Sequence, residues 1–349
     1  MIFSLLKPLI FSVDPEVAHD LAIKSLKTKI LPDKLFHVEN EELLETKLFN
    51  RKIKNPIGLA AGFDKSAEVY NSLYKLGFGF VEVGTITPRR QLGNPKPRVF
   101  RLEKDNALIN RLGFNNHGSD EVAERISREK PNGFLGINIG PNRDTKNKID
   151  DFNLCFSKLY KLADYVTINI SSPNTEGLRD LHDENSLEKL LKNLSDFKKQ
   201  KNAQVPIVIK ISPDINEKNV NSISELILKY KIDGLILSNT TDQNREKLRD
   251  TNKNEKGGLS GLPIKDLSTN LIKKFRKKLH DKISIIGVGG VDSGESAFEK
   301  ITAGASAIQL YTGMVYKGPT IVKEIKRELI KILQKEKISH ISKAIGINS

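Results

Sequence analysis

The feature that most constrains the fold of this chain is a regular alternation of short apolar runs with longer amphipathic runs, which begins near residue 53. The short runs have the length and composition of β-strands, and they lie at 56–60, 80–84, 134–139, 165–170, 206–211, 234–237, 283–288 and 307–310. The longer runs follow a helical period, and they lie at 65–76, 116–130, 150–163, 185–200, 216–230, 264–280, 293–303 and 319–335. Eight such βα units have the size and rhythm of a TIM barrel, whereas a doubly wound sheet seldom needs so many. We therefore predict an α/β protein built as a (β/α)8 barrel over residues 46–340, followed by a short tail at 341–349.

Residues 1–45 precede this alternation and have a different pattern. Asp14 followed by Pro15 indicates a helix start, because Asp caps the first turn and Pro fits its first position. Apolar residues then recur at helical spacing, and a shorter apolar stretch containing Lys7 lies before this start. Two short helices with an apolar side and a basic edge suit a membrane-surface module, but they equally suit a helical cap on the bottom of the barrel. The pattern leaves both possibilities open.

The charge balance of the chain favours anionic partners. The 349 residues include 57 Lys and Arg against 43 Asp and Glu, which gives a net charge of +14. Such an excess attracts nucleic acid, acidic lipid or phosphorylated ligands. Several of the lysines, however, recur on the outer faces of predicted helices, so a solvated surface also explains the excess. We predict no nucleic-acid partner.

Cysteine content and hydropathy limit the metal chemistry and the compartment. Cys155 is the only cysteine, which excludes internal disulfides and cysteine-based zinc sites, and no metal site is predicted. Because Cys155 lies in an apolar helical stretch, we expect it to be packed rather than reactive. No apolar run approaches the about 18 residues of a membrane span, and no signal-peptide pattern is present. We expect the protein to remain on the cytoplasmic side.

Polar side chains gather where the predicted strands end, which is where a barrel places its chemistry. The segment 169–175 follows the fourth strand and supplies two amides and the hydroxyl of Ser172, whose direction Pro173 helps to fix. Other strand ends and connections carry amides, hydroxyls or lysines, namely Lys65, Asn110, Asn138, Lys210, Ser238, Asn239 and Thr240. Taken singly, each of these is an ordinary turn or cap residue. Together they predict a polar pocket for a ligand rich in carbonyl, N–H and carboxylate groups.

Glycine-rich segments mark the other side of the predicted mouth. Glycine is frequent at 257–261 and 287–294, and Tyr311 and Thr312 follow the eighth strand. We expect 257–261 to be a flexible loop. Loops after the last two strands of a barrel bind phosphate through backbone N–H groups and a helix N-terminus. The segment 287–294 is similar to a dinucleotide fingerprint, but Asp292 replaces its last glycine, so a phosphate-bearing cofactor that is not a dinucleotide fits better.

Five segments, in this order, resemble the dihydroorotate dehydrogenase family, whose members are flavin enzymes of pyrimidine synthesis. They are 58–65, 110–116, 169–175, 257–261 and 287–290, and the likeness extends over nearly the whole chain. The soluble class of the family carries a cysteine as catalytic base, whereas the membrane-associated, quinone-using class carries a serine, as this chain does at Ser172. The N-terminal helical extension is also a mark of the quinone class. One departure is Glu176, where a proline is common in the family.

The resemblance implies that this protein oxidises dihydroorotate to orotate, with FMN as cofactor. Ser172 would remove the C5 proton while the C6 hydride passes to FMN, Lys65 would meet the substrate carboxylate, and Lys210 would stabilise negative charge on the flavin. The substrate-binding residues implied by the resemblance are Lys65, Asn110, Arg111, Leu112, Gly113, Phe114, Asn169, Asn174, Asn239 and Thr240. The FMN-binding residues so implied are Ala61, Gly62, Phe63, Asp64, Lys65, Thr85, Asn138, Asn169, Lys210, Ser238, Gly261, Gly290, Tyr311 and Thr312.

The same resemblance implies a membrane quinone as the final electron acceptor and a peripheral location. Residues 1–45 would form a helical module for membrane and quinone access, with His19 and Arg101 beside the acceptor. The positive charge would favour an anionic membrane surface at the cytoplasmic face of the cell membrane. A monomer is expected.

Three alternatives remain open at this point. A soluble, fumarate-using dihydroorotate dehydrogenase would share the barrel and most of the pocket. An FMN-dependent tRNA dihydrouridine synthase would explain the basic surface, but its catalytic cysteine is missing, because Cys155 precedes strand four on a predicted helix. A barrel that has lost activity and only binds a phosphorylated ligand is disfavoured by Ser172 and by the two lysines of the mouth.

Overall fold

The computed structural model describes residues 2–30, 36–39, 41–175 and 177–349. Along the chain the strands are β1 (Thr46–Leu48), β2 (Arg51–Ile53), β3 (Ile57–Leu59), β4 (Phe80–Ile86), β5 (Val99–Leu102), β6 (Ala107–Asn110), β7 (Phe134–Ile139), β8 (Tyr165–Asn169), β9 (Ile207–Ile211), β10 (Gly234–Leu237), β11 (Gly258–Gly261), β12 (Ser284–Val288) and β13 (Ala307–Leu310). Strands β10-β12-β13-β3-β4-β7-β8-β9 close into a barrel in this order, and every neighbouring pair is parallel. The predicted TIM barrel is confirmed. Glu176, the departure from the family pattern, lies outside the described residues.

The helices surround the barrel and extend it at the N-terminus. They are α1 (Ile2–Ser12), α2 (Pro15–Lys27), α3 (Tyr70–Lys75), α4 (Ser119–Arg128), α5 (Lys148–Leu159), α6 (Glu184–Gln200), α7 (Glu217–Lys229), α8 (Lys265–Leu279), α9 (Gly294–Thr302), α10 (Thr312–Lys317) and α11 (Ile321–Lys335). The eight predicted helices are present as α3 to α9 and α11, although α3 begins at Tyr70 rather than near residue 65. The Asp14 carboxylate caps α2, as predicted, by accepting hydrogen bonds from the backbone N–H groups of Glu16 and Val17. Cys155 is buried on α5, also as predicted.

The hairpin β1–β2 closes the bottom of the barrel. Its residues Leu48 and Ile53 are buried in one cluster with Phe80, Phe134 and Tyr165, which begin three of the barrel strands. Helices α1 and α2 lie at the opposite end, next to β5 and α10. A cap on the barrel bottom, one of the two alternatives for residues 1–45, is therefore wrong.

A three-stranded antiparallel sheet of β5, β6 and β11 covers the mouth of the barrel. Strand β11 is the glycine-rich segment that we expected to be a flexible loop, and this expectation is wrong. A Cβ atom on Gly258 would stand 1.9 Å from the Oγ1 of Thr240, and one on Gly261 would stand 2.4 Å from the carbonyl oxygen of Asn106. The glycines are therefore needed for close packing of the cover.

Polar contacts hold the N-terminal helices to this cover. The Glu16 carboxylate on α2 accepts two hydrogen bonds from the buried Arg98 guanidinium, at 2.6 and 3.0 Å. Arg101 on β5 donates to the carbonyl oxygens of Phe11 and Val13 at 3.2 and 2.7 Å. Because removing one partner of a buried ion pair is strongly destabilising, α2 is firmly attached to the sheet that covers the mouth.

Lys300, on α9, is fully buried beneath α8. Its ammonium group donates to the carbonyl oxygen of Lys265 at 3.3 Å and to the hydroxyls of Ser268 and Thr269 at 3.1 Å each. These acceptors are neutral, and no ion pair joins Lys300 to a described residue. Burial lowers the pKa of Lys300 to about 7. The lysine therefore costs the folded barrel free energy whenever it is protonated.

We expect Lys300→Met to raise the melting temperature at pH 7 by about 2–5 °C, because an apolar side chain of similar volume avoids burial of a charge. The wild-type protein should also become more stable as the pH rises from 7 towards 10, since the unfolded lysine keeps a proton that the folded one releases. The variant should lack this part of the pH dependence. Scanning calorimetry at pH 7 and pH 9 checks both expectations. A lower melting temperature of the variant at pH 7 would mean that the three hydrogen bonds outweigh the cost of burial.

Candidate active site

A cavity of about 340 Å³ opens at the carboxyl ends of the barrel strands, beneath the antiparallel cover. Its wall includes most of the residues predicted from the sequence, namely Ala61, Gly62, Lys65, Thr85, Asn110, Leu112, Gly113, Phe114, Asn169, Ser172, Asn174, Lys210, Ser238, Asn239, Thr240, Gly261, Gly290, Tyr311 and Thr312. The cavity also reaches α1, β5 and α10, where Lys7, Val99 and Tyr316 line it. It therefore joins a polar region over the strand ends to a region next to the N-terminal helices.

Ser172 follows β8 after two residues, is buried, and lines the cavity. Its Oγ accepts a hydrogen bond from the backbone N–H of Asn174 at 3.2 Å. Within the described ranges, no His, Asp or Glu side chain hydrogen-bonds to this hydroxyl. Ser172 is therefore not part of a catalytic triad, and any basicity must come from its surroundings.

A chain of hydrogen bonds fixes the amides on either side of this serine. The Asn239 amide donates to Ser171 Oγ at 2.8 Å, and Ser171 Oγ donates to Asn169 Oδ1 at 2.9 Å. The Asn169 amide donates to Thr85 Oγ1 at 3.0 Å, and this hydroxyl donates to Asn138 Oδ1 at 2.7 Å. Because each amide has a defined partner, the direction of its remaining donors and acceptors is set before any ligand binds.

Glu82, which the sequence analysis missed, ends this network in the centre of the barrel. It lies within β4 and is fully buried. Its carboxylate accepts hydrogen bonds from Asn138 at 2.8 Å, Tyr165 at 2.9 Å, Thr167 at 3.1 Å and Gln309 at 3.1 Å. These donors compensate for the water that the buried carboxylate has lost. An acidic residue inside an otherwise apolar strand is the signal that could have identified it.

Lys65 and Lys210 supply positive charge to the part of the cavity wall near the strand ends. Lys210, on β9, is 5% exposed, and its ammonium group forms no hydrogen bond or ion pair with a residue in the described part of the chain. Burial lowers its pKa, and the charge of Glu82 opposes this shift. Lys65 Nζ lies 2.9 Å from the Nε2 of His19, and burial lowers its pKa to about 8. The unpartnered Lys210 requires an electron-rich ligand beside it, because burial of an uncompensated cation is costly.

Arg179, a second residue that the sequence analysis missed, ties together two loops of the mouth. Its guanidinium donates to the carbonyl oxygens of Ser171 at 3.4 Å and Thr240 at 3.2 Å. The same group pairs with Asp214 and Asp242, at 3.1 Å each. Arg179 thereby fixes the loop after β8 relative to the loop after β10. These contacts depend on tertiary pairing, so no local pattern could have indicated them.

The opposite side of the cavity has free backbone donors. The backbone N–H groups of Gly289 and Gly290 donate to no described residue. Both glycines have a positive φ, of 116° and 69°, and a Cβ on Gly290 would stand 2.5 Å from the Cβ of Lys265. Helix α10 begins at Thr312 on the same wall. Free N–H groups in a glycine cradle suit a phosphate.

Four residues that we predicted as ligands do not line the cavity, and they are Phe63, Asp64, Arg111 and Asn138. Arg111 pairs with Glu255 at 2.7 Å, outside the cavity. The Asp64 carboxylate accepts the backbone N–H groups of Glu68 and Val69 at 2.7 and 2.8 Å, so it stabilises the turn before α3. Phe63 and Asn138 support residues of the wall, because Phe63 packs against the Tyr311 ring at 6.1 Å and Asn138 accepts a hydrogen bond from Thr85 at 2.7 Å.

The two residues predicted beside the quinone do not line this cavity, and His19 lines a neighbouring cavity of about 460 Å³ together with Lys65. His19, on α2, contacts Lys65 and packs edge-on against the Phe63 ring at 5.1 Å. Burial and the charge of Lys65 lower the pKa of His19 to about 3, so this histidine is neutral. The Arg101 guanidinium lies 4.6 Å from the centre of the Phe11 ring. Both side chains anchor the N-terminal helices.

The protein is a closed barrel with an unpartnered buried cation and free N–H groups at its mouth. These features define the class of barrel enzymes that bind a phosphate-bearing cofactor. Comparison with known families narrows this class. The family model described as dihydroorotate dehydrogenase matches residues 43–333. The chain belongs to the dihydroorotate dehydrogenase family, whose members are flavin-dependent in general.

Individual relatives resemble the chain over nearly its whole length. A protein from Bartonella tribocorum, named dihydroorotate dehydrogenase (quinone), is 48% identical over 337 residues, which are 95% of this chain and 92% of that protein. A protein of the same name from Idiomarina loihiensis is 46% identical over 334 residues, which are 94% of this chain and 100% of that protein. The crystal structure of DHODH from Eimeria tenella in complex with ferulenol is similar with a TM-score of 0.90 and 40% identity, and it covers 96% of both chains. The ligand-free form gives a TM-score of 0.91.

Proposed function

We propose that this protein oxidises (S)-dihydroorotate to orotate in pyrimidine synthesis, with FMN as cofactor and a membrane quinone as the final electron acceptor. The observation that carries the proposal is the placement of Ser172, Lys65 and Lys210 in one cavity at the barrel mouth. Relatives that are named dihydroorotate dehydrogenase (quinone) support the choice of reaction and acceptor. The family match supports neither a tRNA dihydrouridine synthase nor a barrel without activity.

The cavity wall suits the functional groups of dihydroorotate, which has a carboxylate and a ring of alternating carbonyl and N–H groups. Lys65 supplies a cation for the carboxylate. Asn110, Asn174 and Asn239 supply amides that both donate and accept hydrogen bonds. The Asn174 amide already donates to the carbonyl oxygen of Asn110 at 3.0 Å, which holds the two residues together. The substrate is therefore recognised by matched polar groups on a pre-arranged wall.

Ser172 removes the proton from C5 of the substrate. As its Oγ accepts this proton, its own hydroxyl proton passes to a water molecule in the cavity, and Oγ carries partial negative charge while the two protons move. The Asn174 N–H, 3.2 Å from Oγ, stabilises that charge. The antiparallel cover separates the cavity from bulk water, which strengthens this hydrogen bond and the contact between Lys65 and the carboxylate.

The wall also suits FMN. FMN bound at this wall would supply an acceptor for the hydride that leaves C6 and a carrier of both electrons to the second acceptor. Lys210 would hold the electron-rich edge of the flavin ring, which gives this buried ammonium group a partner. The free N–H groups of Gly289 and Gly290 would hold the phosphate, together with Thr312 at the start of α10.

An anaerobic stopped-flow experiment tests the proposed function. The purified flavoprotein is mixed with dihydroorotate, the absorbance of the oxidised flavin is followed, and then a short-chain quinone or fumarate is added. We expect rapid bleaching that quinone reverses and fumarate does not. Recovery with fumarate would assign the protein to the soluble class. Absence of bleaching in protein that holds FMN would contradict the proposed substrate.

We also propose that the N-terminal helices attach the protein peripherally to the cytoplasmic face of the cell membrane. Within the described ranges, no helix is long and apolar enough to span a bilayer. Leu5 and Leu9 on α1 are 81% and 68% exposed, and Val17 and Leu21 on α2 are also exposed. Such an apolar surface at the entrance of the cavity is suited to the interface of an anionic bilayer, where quinones are available.

The double substitution Leu5→Gln and Leu9→Gln should weaken binding to anionic lipid vesicles about tenfold or more, because it removes exposed apolar area without disturbing the core. Sedimentation with vesicles measures the bound fraction. Leu228→Gln, at an exposed leucine on α7, is a matched control that should bind like the wild type. Equal binding of all three proteins would contradict this membrane surface.

A further inference from the structure

Lys7 is the only charged residue of α1, and it faces the barrel. The exposed Leu5 and Leu9 lie on the other side of the helix, whereas Lys7 is half-buried and lines the cavity. A cation on the inner side of an apolar helix reverses the usual arrangement of polar and apolar faces. Its position therefore points to a ligand.

Aromatic rings surround the ammonium group of Lys7 without neutralising it. Its Nζ lies 5.1 Å from the centre of the Phe11 ring and 5.2 Å from the centre of the Tyr316 ring. The two rings meet edge to face at 5.4 Å, and the Tyr316 hydroxyl donates to the carbonyl oxygen of Ala107 at 2.8 Å. Lys7 forms no hydrogen bond or ion pair with any residue that the structure describes. Its N–H donors are therefore held in place and remain available.

The cavity that Lys7 lines has apolar side chains in its wall. They include Val99, Leu108, Leu262 and Ile264. A wall of this kind accepts a planar apolar ring, and one cation within it selects a ring that carries a hydrogen-bond acceptor. A quinone has both properties, because its carbonyl oxygens lie on an apolar ring and gain negative charge when the ring is reduced.

We propose that Lys7 is a specificity-determining residue for the electron acceptor, and that its ammonium group donates a hydrogen bond to a carbonyl oxygen of a quinone seated between α1 and α10. The inference rests on the quinone-dependent function proposed above. Lys7 keeps its proton in this role and orients the acceptor before electrons move. A dicarboxylate such as fumarate fits less well, because Lys317, the other lysine on this side of the cavity, already pairs with Asp292 at 3.5 Å, which leaves one of the two carboxylates without a free cation.

The test compares flavin-loaded wild-type protein with Lys7→Met and Lys7→Arg. Lys24→Met is the matched control, because Lys24 is exposed on α2 and does not line this cavity. The flavin is first reduced with dihydroorotate without oxygen and then mixed with rising concentrations of a short-chain benzoquinone. We expect Lys7→Met to raise the quinone concentration for half-maximal reoxidation about tenfold, as befits the loss of one charged hydrogen bond. Lys7→Arg should retain most of the affinity, and Lys24→Met should match the wild type.

Two further measurements separate a contact with the acceptor from a loss of structure. Calorimetric titration of the oxidised protein with the same quinone should show the same weakening in Lys7→Met, without any turnover. Reoxidation by N-methylphenazinium, a cationic acceptor without carbonyl groups, should be unchanged or faster in this variant, because a repelling charge has been removed. A structural defect would instead slow reoxidation by both acceptors.

Equal quinone affinity in Lys7→Met and the wild type would overturn the proposal, and so would an equal slowing with both acceptors. Failure of dihydroorotate to bleach the flavin of the wild type is a different result. It would contradict the proposed function, while the calorimetric titration would still decide the role of Lys7.

Discussion

Replacing Ser172 by alanine should slow the reduction of the bound flavin by dihydroorotate by about 10²–10⁴-fold, which is the range for loss of a positioned general base. The flavin itself should stay bound, because its implied contacts are with other residues of the cavity wall. The physical reason is that no His, Asp or Glu in the described ranges hydrogen-bonds to Ser172 Oγ, so no neighbour can replace the lost hydroxyl. Single-turnover stopped-flow kinetics under anaerobic conditions measures the effect.

Ser212 offers a matched control for this substitution. It follows β9, is buried, and accepts the backbone N–H of Asp214 at 3.2 Å, just as Ser172 accepts that of Asn174 at 3.2 Å. Ser212 does not line the cavity. Ser212→Ala should therefore reduce its flavin at the wild-type rate. A near-normal rate in Ser172→Ala would exclude this serine as the base.

Replacing Lys210 by methionine should slow the same half-reaction by about 10²–10³-fold, the usual cost of removing one preorganised electrostatic contact. The lysine is buried at the cavity wall and has no partner among the described residues, so its charge is available to the ligand. Without it, negative charge that arrives with the hydride is no longer stabilised. The reduction potential of the flavin should fall as well, which spectroelectrochemical titration measures.

Lys300→Met is the matched control, because it makes the same exchange at a buried lysine outside the cavity wall. We expect this variant to keep the flavin potential and the rate of flavin reduction of the wild type. If flavin reduction were slowed by the same factor in both lysine variants, the effect would reflect general damage to the barrel. An unchanged potential in Lys210→Met would contradict the assigned contact with the flavin.

The barrel could be predicted because each strand carries its own signal. A strand that is buried on both faces is mostly apolar, so β7 over Phe134–Ile139 and β10 over Gly234–Leu237 coincide with the predicted runs. The parallel order then brings the strand ends together at one mouth. For this reason polar residues at the ends of separate strands, such as Ser172 and Lys210, could be assigned to one pocket from the sequence.

The cover of the mouth could not be predicted, because its strands pair across long distances in sequence. Asn110 on β6 meets Gly258 on β11, which is 148 residues away. The glycines of β11 suggested flexibility, whereas packing against Thr240 and Asn106 is what requires them. The sequence analysis assigned Arg111 to the substrate because it could not show the ion pair with Glu255. The pairing of β6 with β11 brings these two residues together.

The hairpin of β5 and β6 bears on how freely parts of this enzyme could be exchanged with those of its relatives. Arg98, just before β5, and Arg101, within β5, hold the N-terminal helices, whereas the paired strand β6 carries Asn110 at the cavity. A chimera that takes residues 1–30 from a relative without the matching hairpin would place foreign side chains opposite both arginines. We expect such a graft to alter substrate affinity along with acceptor preference. The N-terminal helices and the hairpin would therefore have to be exchanged together.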